Sequence, residues 1–132
     1  MTTQEFIAAA LREDIGNGDF STLSSISPDA RGKAVRKIKE TGILAGGQVA
    51  LESFLQLEPT AAFTIYKHDG DVVENGEIAF EVAASVHTIL QAERLTLNCM
   101  QRMSGIATLT SQYVDAIKDY PAQILDTRKT TP

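Results

Sequence analysis

Apolar residues recur at helical spacing from the start of the chain, where Phe6, Ile7, Ala10 and Leu11 follow Thr2 and Glu5 in capping-box spacing. The pattern predicts a short amphipathic helix. It should stop at Gly16, because Gly16-Asn17-Gly18-Asp19 combines residues that tolerate positive φ and favour turns. Over 32–40 the segment GKAVRKIKE alternates loosely, with Ala34 and Ile38 on one side and charge opposite, and reads as a half-exposed strand. Gly42 and Gly46-Gly47 punctuate the next stretch. Val49, Ala50, Phe54, Leu55 and Leu57 then stand at helical spacing until Pro59 ends the pattern. Residues 62–83 read as β: FTIYK is a strand, HDGDVVENG carries two turn signals, and EIAFEV sets Ile78, Phe80 and Val82 against glutamates. A helix is predicted over 86–102, a break at Ser104-Gly105, and a further helix over 106–117 that ends before Pro121. Gln123-Ile124-Leu125 predicts a brief buried strand leading into Asp126-Thr127-Arg128-Lys129.

These elements add up to an α+β fold, a small antiparallel sheet with flanking helices. Length and composition agree: 132 residues, 43% hydrophobic and 22% charged, suit one domain with a real core and exclude disorder throughout. A net charge of −5 argues against nucleic acid and anionic membranes as partners, so any cationic chemistry must be concentrated locally. Cys99 is the only cysteine, which rules out an internal disulfide and a thiolate cluster for zinc. No apolar run reaches about 18 residues, and MTTQEF lacks the basic start and apolar stretch of a signal peptide. The expectation is a cytoplasmic domain.

Two places invite chemistry. Arg94, Asn98 and Arg102 are spaced by four and share a helix face, with Leu90, Leu97 and Met100 on other sides, expected inward. Such a stripe is either a solvated charged surface or an anion site, since the arginine fork suits carboxylate and phosphate; spacing does not choose. The ending DTRKTTP sets hydroxyls and two cations just past an apolar strand, where α/β folds build ligand sites, and reads equally as a basic tail. Other signals are weaker. The hairpin HDGDVVENGE resembles those of biotinyl and lipoyl carrier domains, but the one nearby lysine, Lys67, precedes the turn. Asp69, Asp71 and Glu74 do not continue into an EF-hand loop, and turn chemistry explains them better. His68 and His87 lack a second metal ligand at helical spacing, and Cys99 reads as a small buried hydrophobe. Gly42, Gly46 and Gly47 form no P-loop and serve turning or close backbone approach.

Five stretches fall in one order: EDIGNGDFST (13–22), GILAGG (42–47), the hairpin at 69–77, AERLTLNCMQRMSGIATLT (92–110) and LDTRKTTP (125–132). In that order the chain resembles the quinolinate phosphoribosyltransferases, over essentially its whole length. The most specific pieces are ERxxLN, SGIAT and DTRKTTP.

The resemblance implies an enzyme of de novo NAD biosynthesis. It would move the phosphoribosyl group of PRPP to quinolinate with Mg2+, releasing pyrophosphate and CO2 and forming nicotinate mononucleotide. It also implies a homodimer, in which Arg94 reaches a quinolinate carboxylate in the neighbouring subunit's site. Thr127, Arg128 and Lys129 would stand at the end of a first barrel strand. Arg128 would hold quinolinate, and Lys129, the expected catalytic residue, would lie near the phosphoribosyl donor. Clustered cations suit a dicarboxylate and a polyphosphate, and would stabilise charge in a dissociative transition state. The same pocket would resist decarboxylation until the carboxylate beside the ring nitrogen is positioned to leave. By this resemblance 1–120 form an N-terminal α+β domain, while 121–132 begin a C-terminal α/β barrel. The barrel itself, with the expected Mg2+ ligands, is absent, and the chain alone is expected to be inactive. No metal ligand is assigned within the chain. The alternatives are a molybdenum-operon or nicotinate-using homologue on the same scaffold, or a non-catalytic biotinyl-like binding domain.

Overall fold

Helix α1 (Thr3–Ile15) begins as its sequence requires in the computed structural model, which describes residues 1–129. Thr2 Oγ1 accepts the Glu5 N–H at 3.2 Å, and the Glu5 carboxylate accepts the Thr2 N–H at 2.6 Å, closing the capping box. The helix buries Ile7 and Leu11. Beyond Gly16 the chain does more than turn. Asp19 accepts the Thr22 N–H at 3.3 Å and also its hydroxyl, capping a second helix, α2 (Phe20–Ser25). Hydropathy gives no sign of α2 because Phe20 and Leu23 are exposed and only Thr22 is buried.

Strands β1 (Arg31–Lys37) and β3 (Ala62–Ile65) flank β5 (Ile78–Ser85) in an antiparallel sheet of order β1-β5-β3. Val82 at its centre faces Ala34 on one neighbour and Phe63 on the other. Phe63 stacks on Phe80 with centroids 4.5 Å apart, and Phe54 packs edge-on against Phe80 at 6.3 Å. The expected alternation of Ile78, Phe80 and Val82 fails at one end. Arg36 pairs with Phe80 but Lys37 pairs with Ile78, so Ala79 is an extra residue in a bulge. Ala79 and Phe80 are therefore both buried, and Ile78 turns outward.

The turn-rich segment forms a second sheet. Strand β2 (Gly42–Ile43) pairs antiparallel with β4 (Val72–Val73). Carboxylates hold the turns: Asp71 accepts the His68 N–H at 2.8 Å, and Glu77 accepts the Glu74 N–H at 2.8 Å. Asp69 reaches further and accepts the Gly47 N–H at 2.7 Å, satisfying the start of helix α3 (Gly47–Leu57), whose N-cap Gly46 has no side chain to do so. Gly46 is required there: its φ is 95°, and a Cβ would fall 3.1 Å from Met100 Cα.

Helix α4 (Val86–Ile117) runs unbroken for 32 residues, against the expected break at Ser104-Gly105. A glycine in a helix interior costs about 1 kcal/mol relative to alanine. Three tertiary hydrogen bonds outweigh it, each worth about 1 kcal/mol. The Ser104 hydroxyl donates to the Ala45 carbonyl at 3.1 Å and accepts the Ala45 N–H at 2.9 Å, while Thr108 Oγ1 accepts the Ile43 N–H at 2.9 Å. The approach is close enough that a Cβ on Gly42 would lie 2.5 Å from Thr108 Oγ1. Thr88, Ala92, Thr96 and Met100 form the buried stripe of α4. Leu97 and Cys99 are only half-buried, and Leu90 faces outward, because the stripe runs along positions 88, 92, 96 and 100 instead. Ile106, Leu109, Tyr113 and Val114 leave an apolar band exposed on the second half of α4.

The strand expected at 123–125 does not form. No strand edge among the described residues runs beside it, and a strand exists only through such pairing. Ile124 is exposed and Leu125 is 77% exposed.

Candidate functional site

Arg94 leaves α4 beside the end of α1, and its Nη1 pairs with Asp14 at 2.8 Å. Around this pair the turn after α1 and the start of α2 fold against α4, enclosing a cavity of about 270 Å³. Its polar lining is Asp14, Asp19, Ser21, Gln91 and Arg94. Asp14 is the sheltered partner, its side chain 24% exposed against 73% for Arg94. The pair thus fixes the guanidinium from the protein side and leaves its other donors facing solvent, where a carboxylate can meet them in bidentate fashion.

Asp19 lines the same cavity, its carboxyl held below the usual range chiefly by the hydrogen bonds from Thr22, with smaller help from the charges of Arg94 and His87. His87 itself is tied down, its Nε2 lying 3.0 Å from the Ile26 carbonyl. Two carboxylates against one guanidinium give the cavity no net positive charge. A dianion held here therefore needs further cations from elsewhere. Neither Asp14 nor Asp19 stands out in the sequence as a site residue, although both lie in EDIGNGD; their spacing about a glycine turn is the available signal.

Asn98 and Arg102 are exposed on the same face of α4 as Arg94, so the stripe exists as spaced. They border a separate cleft of about 580 Å³ with Gln101, Gly105, Ile106 and Leu109. Thr127, Arg128 and Lys129 lie in the exposed irregular segment after α4, where the Lys129 N–H donates to Thr127 Oγ1 at 3.2 Å. Among the described residues no hydrogen bond or ion pair joins these three to Arg94. The last residues of the DTRKTTP motif, Thr130, Thr131 and Pro132, lie outside the described residues.

Lys67 is not the free hairpin-tip lysine of a carrier domain. It is half-buried and pairs with Glu77 at 2.7 Å, which raises its pKa and lowers that of Glu77. Among the described residues no three His, Cys, Asp or Glu side chains gather to hold a metal ion. No helix among them is long and apolar enough to cross a membrane.

Comparison with known proteins bears on this arrangement. The family model for the N-terminal domain of quinolinate phosphoribosyl transferase matches residues 19–104, from the α2 cap through Arg94 to Ser104. The chain belongs to this family. A probable nicotinate-nucleotide pyrophosphorylase (carboxylating) of Synechocystis sp. is 42% identical over 122 residues, which are 92% of this chain and 41% of that protein. A quinolinate phosphoribosyltransferase (decarboxylating) 2b, mitochondrial, of Nicotiana tabacum is 43% identical over 98% of this chain and 36% of its own length. Among solved structures, NadC from Streptococcus pyogenes superposes with a TM-score of 0.92 at 37% identity, covering 97% of this chain and 46% of that one. The α+β fold is thus that of the N-terminal domain of this family. The chain spans under half the length of each of these relatives.

Proposed function

We propose that the chain contributes to the decarboxylating transfer of phosphoribosyl from PRPP to quinolinate in NAD biosynthesis. The ring nitrogen of quinolinate attacks C1 of the ribose, and the C1–O bond breaks, with pyrophosphate leaving with its electron pair. The carboxylate beside the nitrogen then leaves as CO2. Its bonding pair stays on the ring carbon, which takes up a proton to give nicotinate mononucleotide.

In this reading Arg94, steadied by Asp14, binds a quinolinate carboxylate across a homodimer. Arg128 and Thr127 hold substrate, and Lys129 acts at the phosphoribosyl donor. The charge of the Arg94 cavity supports a shared site, since Asp14 and Asp19 offset the single guanidinium and leave a dianion dependent on cations such as Arg128 and Lys129. The exposed Ile106, Tyr113 and Val114 support an assembly that covers part of the second half of α4. Mg2+ would accompany PRPP; the described residues offer it no ligand set. The division at residue 120 into an α+β domain and the start of a barrel, and a cytoplasmic setting, belong to the same proposal.

The observation that carries the reading is the family match over 19–104 with Arg94 inside it, ion-paired at a cavity rim. Its test is turnover by the whole gene product with quinolinate, PRPP and Mg2+, read as nicotinate mononucleotide formed, with none expected from the 132 residues alone. Turnover with nicotinate in place of quinolinate would transfer the reading to a nicotinate-using relative. No turnover with either would overturn it.

A further inference from the structure

The inward face of β1 carries Gly32 and Ala34, with the buried Ile38 just past its end, in the expected small or apolar pattern, and Arg36 is the exception. Five of the twelve basic residues fall within 31–39, and two of them are answered: Arg31 pairs with Glu58 at 2.9 Å and Lys33 with Glu81 at 3.1 Å. Arg36 has no ion pair or hydrogen bond among the described residues, and its Nε is shut off from solvent without a partner. Burial alone depresses its pKa, with no carboxylate acting against the shift. Arg36 is half-buried, and leaving its sheltered Nε–H unpaired costs stability that an anion on the rest of the guanidinium would offset.

Arg36 stands at the edge of a cleft of about 720 Å³ between the β1–β2 connection and the middle of α4. The volume is that of a small-molecule site, and the lining has the usual character, mostly apolar with a few polar groups. Ile43, Leu97 and Leu109 supply apolar wall, Gln101 and Thr108 polar points, and Lys39 a second cation, while Glu40 also lines the cleft and offsets one of the two charges. None of the residues lining it lines the Arg94 cavity.

We propose that this cleft binds a small organic carboxylate, its charged end on Arg36 and its apolar body along Ile43, Leu97 and Leu109. The two Nη groups of Arg36, which are not shut off as Nε is, donate to the carboxylate oxygens, and Lys39 adds longer-range attraction. The apolar wall favours an anion with a hydrocarbon body over inorganic phosphate.

The test is titration of the full chain, isotopically labelled, with hexanoate, monitored by amide chemical shifts. Saturable shifts centred on Ile43, Gly105 and Leu109 are expected, with hexanamide and inorganic phosphate binding at least tenfold more weakly. Arg36→Gln should weaken hexanoate binding at least tenfold, while Lys37→Gln, which removes the same charge from the exposed face of β1, should leave it unchanged. Gly105→Leu fills the cleft from a helix position with open space around it, keeps Arg36 in place, and should abolish binding as well. Arg36→Met should raise the melting temperature, because a guanidinium kept for a ligand is replaced by an apolar chain. The proposal is overturned by absent or non-saturating shifts, by equal binding of hexanamide, by shifts centred on Arg94, or by hexanoate binding that survives Arg36→Gln. It is also overturned if Arg36→Met melts lower, or if Arg36→Gln changes only self-association, which would assign Arg36 to a carboxylate of a second copy.

Discussion

Ser104 and Ala45 exchange two hydrogen bonds, the Ser104 hydroxyl donating to the Ala45 carbonyl at 3.1 Å and accepting the Ala45 N–H at 2.9 Å. One side chain of α4 thereby satisfies both backbone groups of a residue in the segment after β2. Ser104→Ala should destabilise the domain by about 1–3 kcal/mol, the range for leaving sheltered backbone groups unpaired. The gain in helix propensity is a few tenths and does not reverse the sign. Urea unfolding measures this, and an unchanged midpoint would mean that the latch is not what keeps α4 continuous.

Gly42 meets the same helix one turn on. A methyl group there would lie 2.5 Å from Thr108 Oγ1 and 3.3 Å from its Cγ2. Gly42→Ala should therefore lose about 1–3 kcal/mol, as overpacked sites do. Combined with Thr108→Ala the losses should not add, because the second substitution removes the atoms in the way. Strict additivity in a double-mutant cycle would contradict the contact.

Glu58 joins three elements: one carboxylate oxygen accepts the Ser85 N–H at 2.8 Å at the start of α4, and the other pairs with Arg31 at 2.9 Å on β1. The Ser85 hydrogen bond is the largest cause that holds its pKa down to about 2, from an ordinary 4.5, with desolvation opposing. A depressed folded-state pKa contributes stability above the unfolded value, and that stability is lost as pH falls through the folded one. Unfolding free energy should fall between pH 4.5 and about 2, and Glu58→Gln should flatten that part of the profile. An identical pH profile in the variant would show that Glu58 does not carry the effect.

Arg94 and Arg128 offer a test of the shared site. Whole gene products carrying Arg94→Ala or Arg128→Ala should each lose most activity. Co-expressed, they should regain a fraction of it through mixed dimers that hold one intact site. Failure to regain any would leave Arg94 acting within its own chain.

Much of this fold is legible where the cause is local. The Thr2 and Glu5 capping box starts α1 as spaced, and Pro59 comes directly after α3 and its cap. The features that escape a reading of the sequence depend on partners distant along the chain. Ser104-Gly105 reads as a break until Ala45 is placed against it, and Ile78 reads as core until the bulge at Ala79 shifts the pleat. Strands β2 and β4 have two residues each, too short for any periodicity. At the candidate site Arg94 is legible from its helix face, whereas Asp14 is not, since the pair closes over a separation of 80 residues. Arg36 hides within a strand that reads as ordinary alternation of charge and apolar residues.

Unbroken, α4 is a strut of about 48 Å at 1.5 Å per residue, and the same rise puts Arg94 about 35 Å from the helix's last residue. A kink at Ser104-Gly105 would have made that spacing adjustable. With Ser104 and Thr108 pinned to the backbone around β2, it is set, like the reach of a crane jib, by residue count alone. Inserting one residue after Thr108 would swing everything beyond it by about 100° around the axis, so length and angular phase are inherited together by the chain beyond Ile117.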